Sequence, residues 1–164
     1  MEIEGKTVLV LGGAGLVGMA VCRQLMETRP SRLVIAARRR ERAEQAVLQL
    51  CEAFPAAQFR LVPVWGDVFL RAAWQSEGLT SRAAVIDDEQ KRRQSIADIL
   101  DPLNEDIVAS STLANVIEGT LPGLDDQPAD IVIDCMNTAT AISYQNIYTL
   151  AQGCLLYTSP SPRD

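Results

Sequence analysis

The sequence predicts an α/β fold, a doubly wound parallel sheet with its crossover helices, and three observations lead there. Short apolar runs begin near residues 6, 32, 58 and 130, as strands buried on both faces do. Apolar residues at helical spacing fill the gaps between the first three runs. Prolines and glycines mark most of the junctions. Strand, helix, strand, helix, strand at this spacing requires parallel strands joined by right-handed crossovers.

Each element follows from its residues. Residues 6–11, KTVLVL, are β-branched and apolar and run into glycines, so they form a buried strand. Residues 16–28 form a helix with Val17, Val21, Cys22, Leu25 and Met26 on one face, closed by Pro30. RLVIAA, 32–37, is the second strand. Ala43, Ala46, Val47, Leu50, Cys51 and Phe54 then recur at helical spacing up to Pro55. QFRLVPV, 58–64, is the third strand, with Pro63 expected at its terminus because proline cannot donate to a ladder. DIVIDC, 130–135, is the fourth. Residues 69–128 read as a helical insertion between strands three and four. It holds one helix over 87–100, with Ile96, Ile99 and Leu100 on a face, and another over 111–118 stopped by Gly119. This stretch has too little apolar sequence for a core of its own. The run DDEQKRR within it reads as a solvated helix face.

Composition bounds the function. The chain has 164 residues, 48% of them hydrophobic and 22% charged, which suits one ordinary domain over residues 1–153. A net charge of −6 speaks against nucleic acid as a partner, since phosphate binding wants a basic face. The acidic start MEIEGK is no secretory signal, and no stretch is long and apolar enough for a membrane span. Cys22, Cys51, Cys135 and Cys154 have no close pairing and read as buried thiols in a reducing cytoplasm. The chain has no histidine, which removes a Ser-His-Asp triad and most zinc sites.

The chemistry sits at the first strand-to-helix turn, VLVLGGAGLVG. Gly13-x-Gly15-x-x-Gly18 and Gly12-x-x-Gly15-x-x-Gly18 coexist there. One glycine permits the tight turn, another lets the backbone approach a pyrophosphate, and the third lets the helix pack on the sheet. The helix N-terminus, through Leu16 and Val17, offers free N–H groups and a positive dipole end to phosphates. A glycine-rich turn without a ligand is the alternative. The pattern is that of a Rossmann-type dinucleotide-binding domain.

The nucleotide follows from the end of strand two. An acidic residue there would hold a ribose 2′-hydroxyl. The sequence instead reads Ala36-Ala37-Arg38-Arg39-Arg40. Arg38 and Arg39 can pair with a 2′-phosphate in fork geometry, favouring NADP over NAD. Arg39 and Arg40 equally suit the start of a solvated helix.

LGGAGLVG resembles the TGGAGFIG turn of the short-chain dehydrogenase/reductase superfamily, in particular its extended, epimerase-like branch. The departures are Leu11 for threonine, Leu16 for phenylalanine and Val17 for isoleucine. Trp65-Gly66-Asp67-Val68 is similar to that family's GD[VIL] segment. The resemblance implies that the Asp67 side chain and the Val68 amide contact adenine. Cys135-Met136-Asn137-Thr138 stands where the family passes the nicotinamide ribose, so Asn137 is a candidate there, or else the polar cap of a following helix. The resemblance covers residues 5–68 and 130–145. It implies an NADP-dependent oxidoreductase or epimerase acting on a small-molecule substrate, compatible with a homo-oligomeric parent protein. A non-enzymatic dinucleotide sensor on the same fold is the competing reading.

Two features bear on activity. Catalysis in that family uses a Tyr-x-x-x-Lys pair, in which the lysine lowers the tyrosine pKa for proton exchange. The lysines here are Lys6 and Lys91, preceded four residues earlier by Glu2 and Asp87, and Tyr144-x-x-x-Tyr148 lacks the cation. No catalytic residue is therefore assigned. The last residues, CLLYTSPSPRD, resemble a translated transposase adapter of short-read sequencing libraries; a natural Pro/Ser-rich disordered tail is the alternative. The expectation is a sheet truncated after the fourth strand, a tail over 154–164 outside it, and a substrate held by a missing C-terminal part.

Overall fold

The computed structural model describes residues 2–57, 60–76 and 82–136. The α/β expectation holds. The chain runs β1 (Thr7–Leu11), α1 (Leu16–Met26), β2 (Arg32–Ala37), α2 (Arg40–Ala53) and β3 (Arg60–Trp65). The stretch after β3 carries α3 (Ala72–Ser76), α4 (Arg82–Asp87), α5 (Glu89–Leu100), α6 (Glu105–Ser110) and α7 (Thr112–Glu118) before β4 (Ile131–Asp134). The strands lie in the order β3-β2-β1-β4, and every pairing is parallel. The chain therefore winds outward from β1 to β3 and then returns to the far side of β1. That reversal makes the carboxyl end of β1 the switch point, where ligands bind in such sheets. Residues 137–164, with Asn137, the Tyr144 and Tyr148 pair, Cys154 and the tail, lie outside the described residues.

Side chains alternate across the strands and so build two apolar layers. Val8, Val10, Leu33 and Ile35 face α1 and α2, packing on Cys22, Leu25, Met26, Ala46 and Leu50. Leu9, Leu11, Val34, Ala36, Val62 and Val64 face the other way, onto Val116 of α7 and Leu124 behind it. The insertion thus acts as the crossover to β4 and covers the second face of the sheet. Leu70, Trp74 and Val85 form a small separate cluster within it. Among the described residues, no helix is long and apolar enough to cross a membrane.

Several local expectations need correction. Val17 is exposed, because at the first turn of α1 it points away from the sheet. Cys51 is exposed on α2 rather than buried. Pro63 sits inside β3, paired in register with Ile35. It is tolerated because β3 is an edge strand among the described residues, so its missing N–H leaves no ladder partner unpaired. The helix expected over 87–100 is broken at Asp88, whose carboxylate accepts from the Gln90 and Lys91 N–H groups and starts α5 afresh. Ile96 is exposed, and α5 buries no residue fully.

An ion pair ties α5 to the loop after β3. Arg71 donates from Nε and Nη2 to both Asp98 oxygens, each at 2.7 Å, and from Nη2 to Asp106 at 2.9 Å. Burial alone would push the Asp98 carboxyl up; hydrogen bonds from Arg71 and Gln94 outweigh it and hold the pKa below its ordinary value. A depressed folded pKa contributes stability above the unfolded value near 4, and that contribution is lost as pH falls through the folded value. Asp98→Asn is therefore expected to destabilise by about 2 kcal/mol at pH 7 and by much less at pH 3. Urea midpoints at the two pH values check this, and an equal deficit at both would contradict it.

Arg32 is the opposite case. It is 3% exposed, donates from Nη1 to Gln127 Oε1 at 2.8 Å, and leaves Nε and Nη2 without a partner. Burial, and next the charge of Arg60 beside it, push its pKa down. Arg60 has Asp125 as its own partner. A buried donor without an acceptor opposes folding by about 1–3 kcal/mol. Arg32→Met keeps the volume and removes the orphan donors, so it is expected to raise stability by about 1 kcal/mol. A lower urea midpoint for the variant would show that the Gln127 bond outweighs them.

Candidate functional site

The glycine turn lies at the carboxyl end of β1. Gly13 is buried, and its N–H donates to the Ala36 carbonyl at 3.0 Å, tying the turn to β2. The Gly15 N–H closes the turn onto the Gly12 carbonyl at 2.9 Å. Gly12 has φ +70°, and a Cβ there would meet the Cys135 carbonyl oxygen at 3.0 Å, so turn and β4 exit are in contact. Gly18 is buried under the turn, where a Cβ would lie 2.2 Å from the Gly12 oxygen. This is the close helix-to-sheet approach that the third glycine allows. Gly15 is the N-cap of α1 and supplies no side chain. The N–H groups of Leu16 and Val17, in the first turn, have no intrahelical acceptor. Their side chains are exposed, Leu16 by 93%.

These residues form one wall of an open groove. The other wall is Arg38, Arg39 and Arg42, and Cys135 and Met136 close its β4 side. All three arginines are exposed. Arg39 is the N-cap of α2, and Arg40 is the first residue within the helix. Arg40 turns away to bond Glu44 at 2.8 Å and to lie 5.0 Å from the Trp65 ring centroid. The sequence pattern points to Arg38 and Arg39 but passes over Arg42. The first turn of α2 returns Arg42 to the side of Arg38 and Arg39, a spacing visible once the helix start at residue 40 is placed.

A second lobe continues from the groove past Gly12, Ala37 and Arg38 to Val64, Asp67 and Val68. Asp67 is 3% exposed. Its Oδ1 accepts from the Phe69 N–H at 3.1 Å and its carbonyl from the Leu70 N–H at 3.0 Å. Asp67 therefore shapes the loop that follows β3 as well as lining the lobe. The structure brings Gly12, Gly15, Leu16, Val17, Arg38 and Arg39 to one groove and Asp67 and Val68 to the lobe beside it. Gly13 and Gly18 lie beneath.

The surroundings of the two nearby thiols, Cys22 and Cys135, favour the protonated form. Burial, and next the proximity of Cys135, push Cys22 up to about 12. Cys135 is raised by burial and then by Asp134. Thiolates, not thiols, react.

No protein-family model matches the chain, and no curated protein matches it either. Solved structures do overlap with it in part. An A-type ketoreductase from a modular polyketide synthase is 28% identical over 47% of this chain and 16% of its own, with a TM-score of 0.38. An A1-type ketoreductase is 24% identical over 65% of this chain and 17% of its own, with a TM-score of 0.36. The protein Pen from Bacillus thuringiensis is 14% identical over 73% of this chain and 47% of its own, with a TM-score of 0.34. The chain thus spans less than half of each of these structures. Overlaps of this extent say nothing about its activity, and the fold stands on its own strand order and registers.

Proposed function

We propose that the chain is the NADP(H)-binding part of an NAD(P)-dependent oxidoreductase or epimerase of the short-chain dehydrogenase/reductase type. One observation carries the reading: a glycine turn open to a helix N-terminus faces three arginines across a groove at the switch point of a parallel sheet. The residues fit a dinucleotide. Gly15 leaves the approach to the α1 amides clear, because a Cβ there would meet only the Gly12 oxygen, at 3.2 Å. Leu16 and Val17 N–H groups would bind pyrophosphate, and their exposed side chains would shield it from water. Arg38, Arg39 and Arg42 would hold a 2′-phosphate. Asp67 and Val68 would meet the adenine end in the adjoining lobe. Asn137, outside the described residues, would stand beside the nicotinamide ribose. The bound dinucleotide supplies a hydride carrier; the substrate is a small molecule.

A non-enzymatic dinucleotide sensor on the same fold is the second reading, and the groove as described serves either. Lys6 pairs with Asp130 at 3.7 Å, beyond the opposite end of β1 from the glycines, and Lys91 lies on α5. Calorimetric titration with NADPH and NADH tests the shared premise: saturable NADPH binding is expected, and binding of neither sinks both readings. A Tyr-x-x-x-Lys pair in the full reading frame of the parent protein, and NADPH oxidation by that parent over a carbonyl panel, then separate them, since a sensor binds without turnover.

A further inference from the structure

We propose that the cavity between the loop after β3 and helices α5, α6 and α7 binds a small, neutral, apolar molecule. The cavity measures about 250 Å³. Phe69 of the loop, Ile99 of α5, Val108 of α6, Ile117 of α7 and Leu103 between α5 and α6 supply apolar walls. Leu103 and Val108 are 65% and 38% exposed, so apolar surface stands in water beside the space a ligand would fill. Covering that surface favours binding.

The polar groups of the cavity select the ligand's charge. Arg71 lines it, but its Nε and Nη2 are already engaged by Asp98 and Asp106. One guanidinium against two carboxylates leaves a net −1 there. A carboxylate or phosphate end would meet that negative charge, whereas an alcohol would not. The Ser111 hydroxyl accepts from the Ala114 N–H at 3.4 Å and keeps its proton for a ligand oxygen. A dry cavity of about 150 Å³ with aliphatic and aromatic walls admits benzene. By that scale, about 250 Å³ admits roughly ten carbon atoms. Val68 and Phe69 also line the lobe next to the glycine groove, so this ligand would sit beside a nucleotide without sharing its site.

Titrating the full chain with 1-octanol and with octanoate at pH 7, followed by ligand-observed NMR, tests the proposal. Saturable octanol binding is expected, with octanoate several-fold weaker. Ala114→Phe fills the cavity and should weaken octanol at least tenfold. Val108→Glu places a charge on the exposed part of the wall and should do the same with little effect on folding; it decides the matter if the phenylalanine variant does not fold. Absence of saturable octanol binding overturns the proposal. So does octanoate binding as tight as octanol, or octanol binding unchanged in the folded variants.

Discussion

Gly15→Val is expected to abolish dinucleotide binding while the sheet stays folded, whereas Gly18→Ala is expected to lose both. The two glycines look alike in sequence but differ in what surrounds them. Gly15 has φ −81° and ψ 171°, a conformation any residue adopts, and a Cβ would touch only the Gly12 oxygen at 3.2 Å. A valine there fits the backbone and projects its branches into the groove that a pyrophosphate would occupy. Changing the helix N-cap should destabilise by about 1 kcal/mol. At Gly18 the added Cβ would stand 2.2 Å from the Gly12 oxygen and 2.7 Å from the Gly13 Cα. Both are backbone atoms of a turn pinned to β2, so the turn must distort. Overpacking of this kind destabilises by about 1–3 kcal/mol, and contacts with backbone that cannot swing aside put this case at the upper end. Urea midpoints and NADPH titrations on both variants separate the effects. Unchanged NADPH affinity in Gly15→Val would make the turn structural only, and the proposed function would fall with it.

The sheet was legible in the sequence because its strands are short, apolar and punctuated. RLVIAA is bounded by Pro30 and by arginines, and β2 spans Arg32–Ala37 as expected. The start of α1 at Leu16 follows from the glycines. The stretch after β3 was less legible. The helix α6 has Asn104 as its cap, accepting from the Ile107 N–H at 2.9 Å, and acids in its first turn. Those signals are present in sequence, but six residues offer no apolar repeat to confirm them. Asp88 was hidden by charge: within DDEQKRR nothing marks one aspartate as a cap rather than another exposed acid. The partners of Arg71 lie 27 and 35 residues away, a separation that local pattern cannot bridge.

The candidate site divides along the same line. The glycines, Arg38, Arg39 and Asp67 announce themselves because a local motif requires them. Arg42 needs the helix start, and the cavity beside Phe69 needs three helices in place. That α7 covers the second face of the sheet depends on Val116 and Leu124 meeting strands more than 50 residues earlier, which no window along the chain reveals.

The chain is expected to bind NADPH more tightly than NADH, with the preference carried by Arg38, Arg39 and Arg42 and not by Arg40. A charge-assisted hydrogen bond contributes about 1.5–3 kcal/mol. These arginines are exposed, so the lower end applies, about tenfold in affinity for each one that engages. Arg38→Ala with Arg39→Ala should remove most of the preference, and adding Arg42→Ala should remove what remains. NADH affinity should hardly change, because NADH has no 2′-phosphate to lose. Arg40→Ala should leave the preference intact, since Arg40 is engaged by Glu44 and lies over Trp65. Raising the salt from about 0.05 M to about 0.5 M should narrow the NADPH advantage, because screening weakens exposed charge pairs. Calorimetric titration of both cofactors against each variant makes the comparison. Equal affinities in the unmutated chain would remove the arginine argument altogether. A parallel loss of NADH and NADPH binding in the triple variant would mean that these side chains hold the fold or the pyrophosphate rather than the 2′-phosphate.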